Sequence, residues 1–203
     1  MRRTEEEAAA TRLAVLDAAR SVFSQRGYEA AHLEDVAAIA GVTRGAIYHH
    51  FGSKADLYVA LIDEASGQGG VVIQQAVEEG GTFSEILSRI LMSYFALLED
   101  DTRFREVTEL ALYKAGTSPE LEDLECRRSQ EARTLVESIS EFFKVGIAQG
   151  ELRKDLDPAT GARSLIAFQN GVAMLWLANP EAFSIKGEGP KLMSVFLNGI
   201  VDE

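Results

Sequence analysis

A chain of 203 residues, 46% apolar and 26% charged, has the make-up of an ordinary globular protein, long enough for one large domain or a small one joined to a medium one. Its single cysteine, Cys126, excludes an intrachain disulfide or a cysteine-built zinc site, and the longest apolar stretch, 165–178, is too short to span a bilayer and is interrupted by Gln169 and Asn170. A net charge of −12 argues, on its face, against an anionic partner.

The distribution of that charge changes the reading. Residues 1–55 carry seven basic and seven acidic side chains, so the whole deficit lies in 56–203, and His32, His49 and His50 also fall in the first segment. Such asymmetry suits a chain with one end that meets an anion, although uneven scatter of surface charge gives the same numbers. Met1-Arg2-Arg3-Thr4 runs directly into Glu5-Glu6-Glu7 and alanines with no apolar signal core, so a cytoplasmic protein without a membrane segment is expected.

In chain order, apolar residues recur at three and four: Leu13, Leu16, Phe23; Leu87, Leu91, Tyr94, Leu98; Leu135, Ile139, Phe142. No apolar–polar alternation is long enough to make a strand. The expectation is an all-α fold of about nine helices over 9–25, 33–40, 44–50, 54–65, 83–99, 102–115, 119–149, 158–178 and 190–201. Thr82-Phe-Ser-Glu85 has capping-box spacing, and Ser53-Lys-Ala-Asp56 is a weaker version. Pro119, Pro158 and Pro190 each fit a first helical position, and Pro180 ends the helix before it. Gly67-Gln68-Gly69-Gly70 interrupts an otherwise helical stretch, either as a kink in a connecting helix or as a true break, with a slight lean to a break. The expected division is 1–53 and 54–203.

The most informative stretch is 33–51. Val36, Ala37 and Ala40 line one side of a short helix, and Gly41 stands where a tight turn needs a left-handed backbone. Val42 plugs the angle, and Thr43 can cap a second helix whose Ile47 and Phe51 point inward. This is a helix-turn-helix pattern. Its outer set is Thr43, Arg44, Gly45, Tyr48 and His49. Arg44 can fork onto guanine O6 and N7, Gly45 lets the backbone approach a duplex, and Tyr48 and His49 can donate to phosphate or stack on sugar or a thymine methyl. Lys54 opens the next helix, where free N–H groups and a positive charge suit a phosphate. Adjacent His49 and His50 point about 100° apart on a helix, so no metal site is expected of them.

Here the chain resembles a known family. Arg12-x-x-Val15-Leu16-Asp17-Ala18-Ala19, Phe23, Gly27-Tyr28, then Val36-Ala37-x-x-Ala40-Gly41-Val42-x-x-Gly45-x-Ile47-Tyr48-x-His50-Phe51-x-x-Lys54-x-x-Leu57 is similar to the TetR family of transcription regulators over roughly residues 10–60. The resemblance implies a nine-helix, two-domain homodimer on a palindromic operator in double-stranded DNA. It places DNA contacts on Arg44, Gly45, Ala46, Tyr48, His49, His50 and Lys54, beside Thr43. Two positions depart from the pattern. His32 stands where the family usually caps helix 2 with Ser or Thr, and His49 where Trp or Tyr is common. Arg2-Arg3 reads equally as a phosphate-touching arm or an idle tail.

Arg3-Thr4-x-Glu6-Glu7-Ala8-x-x-Thr11-Arg12 and Val42-Thr43-Arg44-Gly45-Ala46-Ile47-Tyr48 further resemble the multidrug-efflux branch, relatives of the acriflavine-resistance repressor. Glu109-x-x-x-Tyr113-Lys114 and Gly171-x-x-x-x-Trp176-Leu177 fit that branch loosely. That implies control of an efflux or detoxification gene and release from DNA by a small hydrophobic effector.

The residues of the C-terminal half allow an effector pocket, with Tyr94, Phe95, Thr108, Leu112, Phe168, Asn170 and Met174 as candidates; each could equally fill the core. Asn170 and Thr108 stand out as polar groups needing partners on apolar faces. Ile166, Gly171, Val172, Leu175, Phe196, Leu197 and Ile200 give the last two helices more apolar surface than one layer covers. A symmetric contact between two copies is the expected cover, an internal core helix the alternative. No catalytic set or phosphate loop is readable, so no enzyme and no cofactor is expected. A repressor released by ligand, a DNA-binding dimer without one, and an activator remain the readings.

Overall fold

The structure, a computed structural model, describes residues 5–113 and 119–201. Among these residues the chain forms nine α-helices: α1 (Glu5–Ala30), α2 (Leu33–Ala40), α3 (Arg44–Phe51), α4 (Lys54–Glu78), α5 (Phe83–Asp100), α6 (Thr102–Tyr113), α7 (Glu122–Ala148), α8 (Pro158–Ala178) and α9 (Ile185–Leu197). A 3-10 turn, Pro119–Leu121, precedes α7, and a lone bridge pairs Leu152 with Val201. The all-α expectation holds.

The chain packs as two compact units, 1–68 with 103–124 and 69–102 with 125–203. The expected division after residue 53 lies within the first.

In the first unit, α1 presents Val15, Leu16, Ala19, Val22 and Phe23 to a core shared with Val36, Ile47, Leu57, Tyr58 and Leu61. Gly27, at φ +74°, breaks the end of α1 and turns Tyr28 into that core. Phe23, Tyr28 and Tyr58 form an aromatic trio with centroids 5.2–6.0 Å apart, two of the contacts edge-to-face. Helix α6 closes the same core with Val107 and Leu110, and the Tyr58 hydroxyl donates to the Leu110 carbonyl at 3.3 Å. Tyr28 donates to Glu120 at 2.9 Å, and burial together with that carboxylate pushes its phenol above the ordinary value.

In the second unit, α5 buries Phe83, Leu87, Leu91, Phe95 and Leu98; the spacing read from the sequence holds at Leu87, Leu91 and Leu98, with Phe95 in the inner place expected of Tyr94. The capping box is present, with Glu85 N–H donating to Thr82 Oγ1 at 3.3 Å and Thr82 N–H to Glu85 Oε2 at 2.8 Å. Helix α8 starts as expected at Pro158 under an Asp157 cap. It turns Leu165, Ala173 and Trp176 inward, and the Trp176 indole donates to the Phe183 carbonyl at 3.0 Å.

Two expectations are corrected. Helix α4 runs unbroken through Gly67, Gly69 and Gly70. Each glycine costs a helix about 1 kcal/mol against alanine; against that cost, Leu57, Tyr58 and Leu61 before them and Ala76 after them are buried. Pro190 lies inside α9 rather than at its start. Ser184 caps that helix, its hydroxyl accepting from Gly187 N–H at 3.0 Å, and Glu99 of α5 accepts from both Ser184 Oγ and Lys186 N–H. This anchor sets the start before the proline is reached.

Candidate nucleic-acid interface

The helix-turn-helix is built from the residues that predict it. Val36 and Ala37 are buried against α1, and Gly41, at φ +67°, takes the left-handed position that ends α2. The Gly41 and Val42 amides both donate to the Ala37 carbonyl, fixing the turn. Thr43 then caps α3, its hydroxyl accepting from Ala46 N–H at 3.2 Å. Ile47 and Phe51 are buried, which leaves Arg44, Gly45, Tyr48 and His49 on the exposed side, with Ala46 and His50 half-buried at its edges. Helix α2 starts at His32 without a side-chain cap, as the departure at that position leads one to expect.

The electrostatics of this face are paired rather than open. Arg44 Nη1 donates to Glu34 of α2, and Nη2 donates to the Tyr48 hydroxyl at 2.8 Å. Its guanidinium lies over the Tyr48 ring, 5.3 Å from the centroid. These partners, the Tyr48 hydroxyl first, push the Arg44 pKa further up. Arg26 of α1 pairs with Asp35, so both acids in the first turn of α2 hold an arginine. Their positions also suit the positive end of that helix. Arg12 covers the Phe51 ring at 5.0 Å.

Lys54 has a local occupation. Its ammonium sits 4.5 Å above the Tyr28 ring and donates to the Glu29 carbonyl at 3.3 Å. Ser53 caps α4, its hydroxyl accepting from Asp56 N–H at 3.0 Å. The rings of His49 and His50 are 5.5 Å apart, and among the described residues no three metal-ligating side chains converge. Arg2 and Arg3 lie outside the described residues, as does Lys114.

Sequence reasoning missed Glu34. It lies ten positions from Arg44 on a different helix. The available signal was a carboxylate in the first turn of α2 beside an arginine that opens α3.

The other candidates separate by location. Thr108 and Leu112 lie in the first compact unit, and both are half-buried. Tyr94, Phe95, Phe168, Asn170 and Met174 lie in the second. There Phe95 is fully buried, Tyr94 shares a hydrogen bond with Gln169, and Phe168 stacks on Phe196 at 5.0 Å. Burial pushes the Tyr94 phenol up, against the pull of Gln169. On α8, Gly171 and Leu175 are exposed, Leu175 by 68%, while Val172 is buried and Ile166 half-buried. Phe196 and Leu197 are half-buried, Ile200 is buried, and Val195, absent from the predicted set, is 75% exposed.

Residues 15–61 match the family described as bacterial regulatory proteins of the tetR family, and residues 84–201 match the C-terminal domain of BetI-type transcriptional repressors. The chain belongs to the TetR family. The transcriptional repressor BepR of Brucella suis is 31% identical over 98% of this chain and 96% of its own. Among solved structures, SmeT in complex with triclosan is 26% identical, with a TM-score of 0.81 over 96% of this chain and 93% of its own. NalD of Pseudomonas aeruginosa, described as the secondary repressor of a multidrug efflux pump, superimposes at a TM-score of 0.86 over 98% of this chain and all of its own, at 23% identity. The likeness to NalD speaks for the fold. These TetR-family relatives are transcriptional regulators, a role that is not enzymatic. No helix among the described residues is long and apolar enough to cross a membrane.

Proposed function

We propose that this TetR-family protein is a cytoplasmic, homodimeric repressor that holds a palindromic operator through α3 and leaves it when a small hydrophobic molecule binds. The controlled gene serves efflux or detoxification. The carrying observation is the sidedness of α3: Ile47 and Phe51 are buried, while Arg44, Gly45, Tyr48 and His49 face outward beside the turn at Gly41. In this reading Arg44 reads a guanine edge, and Thr43, Gly45, Ala46, Tyr48, His49 and His50 line the groove and its backbone. Lys54 reaches phosphate by leaving the Glu29 carbonyl.

Two copies bring two recognition helices about 34–36 Å apart, one turn of duplex. The exposed Leu175 and Gly171 of α8 and Val195 of α9 supply apolar surface for that pairing. The triclosan complex of SmeT supports an effector of drug-like hydrophobicity. Tyr94, Phe95, Phe168, Asn170 and Met174, all of the second unit, are the proposed effector residues. The effector shifts the dimer only by its differential affinity for the released state.

The test is fluorescence anisotropy on a duplex selected by the protein from a randomised library, titrated with triclosan and a panel of hydrophobic dyes. Loss of DNA binding at a saturable ligand concentration is expected. Tight DNA binding that no ligand relieves removes the effector half of the reading.

A further inference from the structure

We propose that Glu34 is a specificity-determining residue: its carboxylate, with the Tyr48 hydroxyl, holds the Arg44 guanidinium in a set pose for one base edge and penalises binding elsewhere. This rests on the reading that Arg44 enters the groove.

An arginine has several rotatable bonds, and a free guanidinium can reach any nearby phosphate. Here the group is fixed at three points: Glu34 takes Nη1, the Tyr48 hydroxyl takes Nη2, and the Tyr48 ring supports its face. Each anchored nitrogen keeps a second N–H, and Nε–H takes part in neither bond, so donors remain for the O6 and N7 of guanine. Fixing the side chain before binding removes an ordering cost from the matching site. The gain appears only where both acceptors are in place.

Glu34 also acts on mismatched sites. Its side chain is 60% exposed, so it puts an unfavourable negative charge beside any phosphate backbone. On random sequence the free donors meet no matched pair of acceptors in this pose, and turning the guanidinium toward a phosphate breaks its bond to Glu34 and leaves that carboxylate uncompensated. On the matching site the pair survives. Disfavouring wrong partners is a recognised route to selectivity. Stability does not explain the pair, because both side chains are more than half exposed and exposed ion pairs contribute little. Asp35 supplies a second acid to the same helix start.

The experiment selects duplexes from a randomised library with wild type, Glu34→Gln and Tyr48→Phe. It then measures each protein's affinity for the best wild-type duplex and for a random duplex. Glu34→Gln is expected to bind the random duplex more tightly and to lose a G·C preference in each half-site. Its ratio of selected to random affinity should fall by about tenfold, the scale of one good bidentate contact. Tyr48→Phe, which keeps the ring, should lower the ratio by a smaller factor. Equal gains on both duplexes for Glu34→Gln with an unchanged motif would overturn the proposal, as would unchanged ratios in both variants. Wild type enriching no motif at all would instead defeat the underlying reading of α3, a result visible in the wild-type arm alone.

Discussion

Gly161 of α8 lies so close to Phe143 of α7 that an added β-carbon would sit 2.5 Å from two carbons of that fully buried ring. Neither group has room to retreat cheaply. Gly161→Ala should therefore destabilise the protein by about 1–2 kcal/mol, an overpacking cost partly offset by better helix propensity. Gly69→Ala in α4 meets open space and should stabilise by up to about 1 kcal/mol. Urea denaturation of the two variants checks the pair, and the same sign for both would contradict the packing described.

Arg44→Ala should weaken binding to a selected duplex by about 1–3 kcal/mol and relax preference at one base pair per half-site. Competition titrations against duplexes altered at each guanine measure both. A uniform loss across all sequences would make Arg44 a phosphate contact.

Leu175→Glu places a charge on the exposed apolar surface of α8. Sedimentation equilibrium should show dimers of the wild type and monomers of the variant at micromolar concentration, with DNA affinity lost in parallel. A dimeric variant would move the pairing surface elsewhere.

Asp157 and Glu85 give the pH dependence a sign. The Thr160 hydroxyl and amide hold the Asp157 carboxyl below its ordinary 3.8, and the Thr82 amide and hydroxyl hold Glu85 below 4.5. Both folded-state values are depressed, so their stabilisation is complete above the ordinary carboxylate range and is lost as pH falls through the folded values. Melting temperature should drop from about pH 4 downward. Asp157→Asn, which keeps a capping oxygen without titrating, should flatten part of that slope. An unchanged profile would mean that the Asp157 cap has no charge dependence.

The reading head was visible in the sequence because its determinants are local. Gly41 needs its backbone angle, Thr43 caps the helix it precedes, and Ile47 and Phe51 are one turn apart. The continuity of α4 was not, because three glycines weigh against burial that only the packed chain reveals. The start of α9 depends on Glu99, 85 positions before Ser184. The Glu34–Arg44 pair was hidden for a similar reason, since the turn at Gly41 decides which side chains of α2 and α3 meet. Which polar residues of the C-terminal half find partners is likewise a matter of packing, as Tyr94 with Gln169 illustrates.

Helix α6 closes the core that the reading head shares, with Val107 and Leu110 in one buried cluster with Phe23, Tyr28 and Tyr58. Excising residues 1–68 as a minimal DNA-binding fragment would strip that seal. Each of those two side chains contributes about 1.5–3 kcal/mol by burial, a large share of what holds so small a piece together. The recognition helices therefore do not form a detachable module: the segment that supports them is supplied from beyond the middle of the chain.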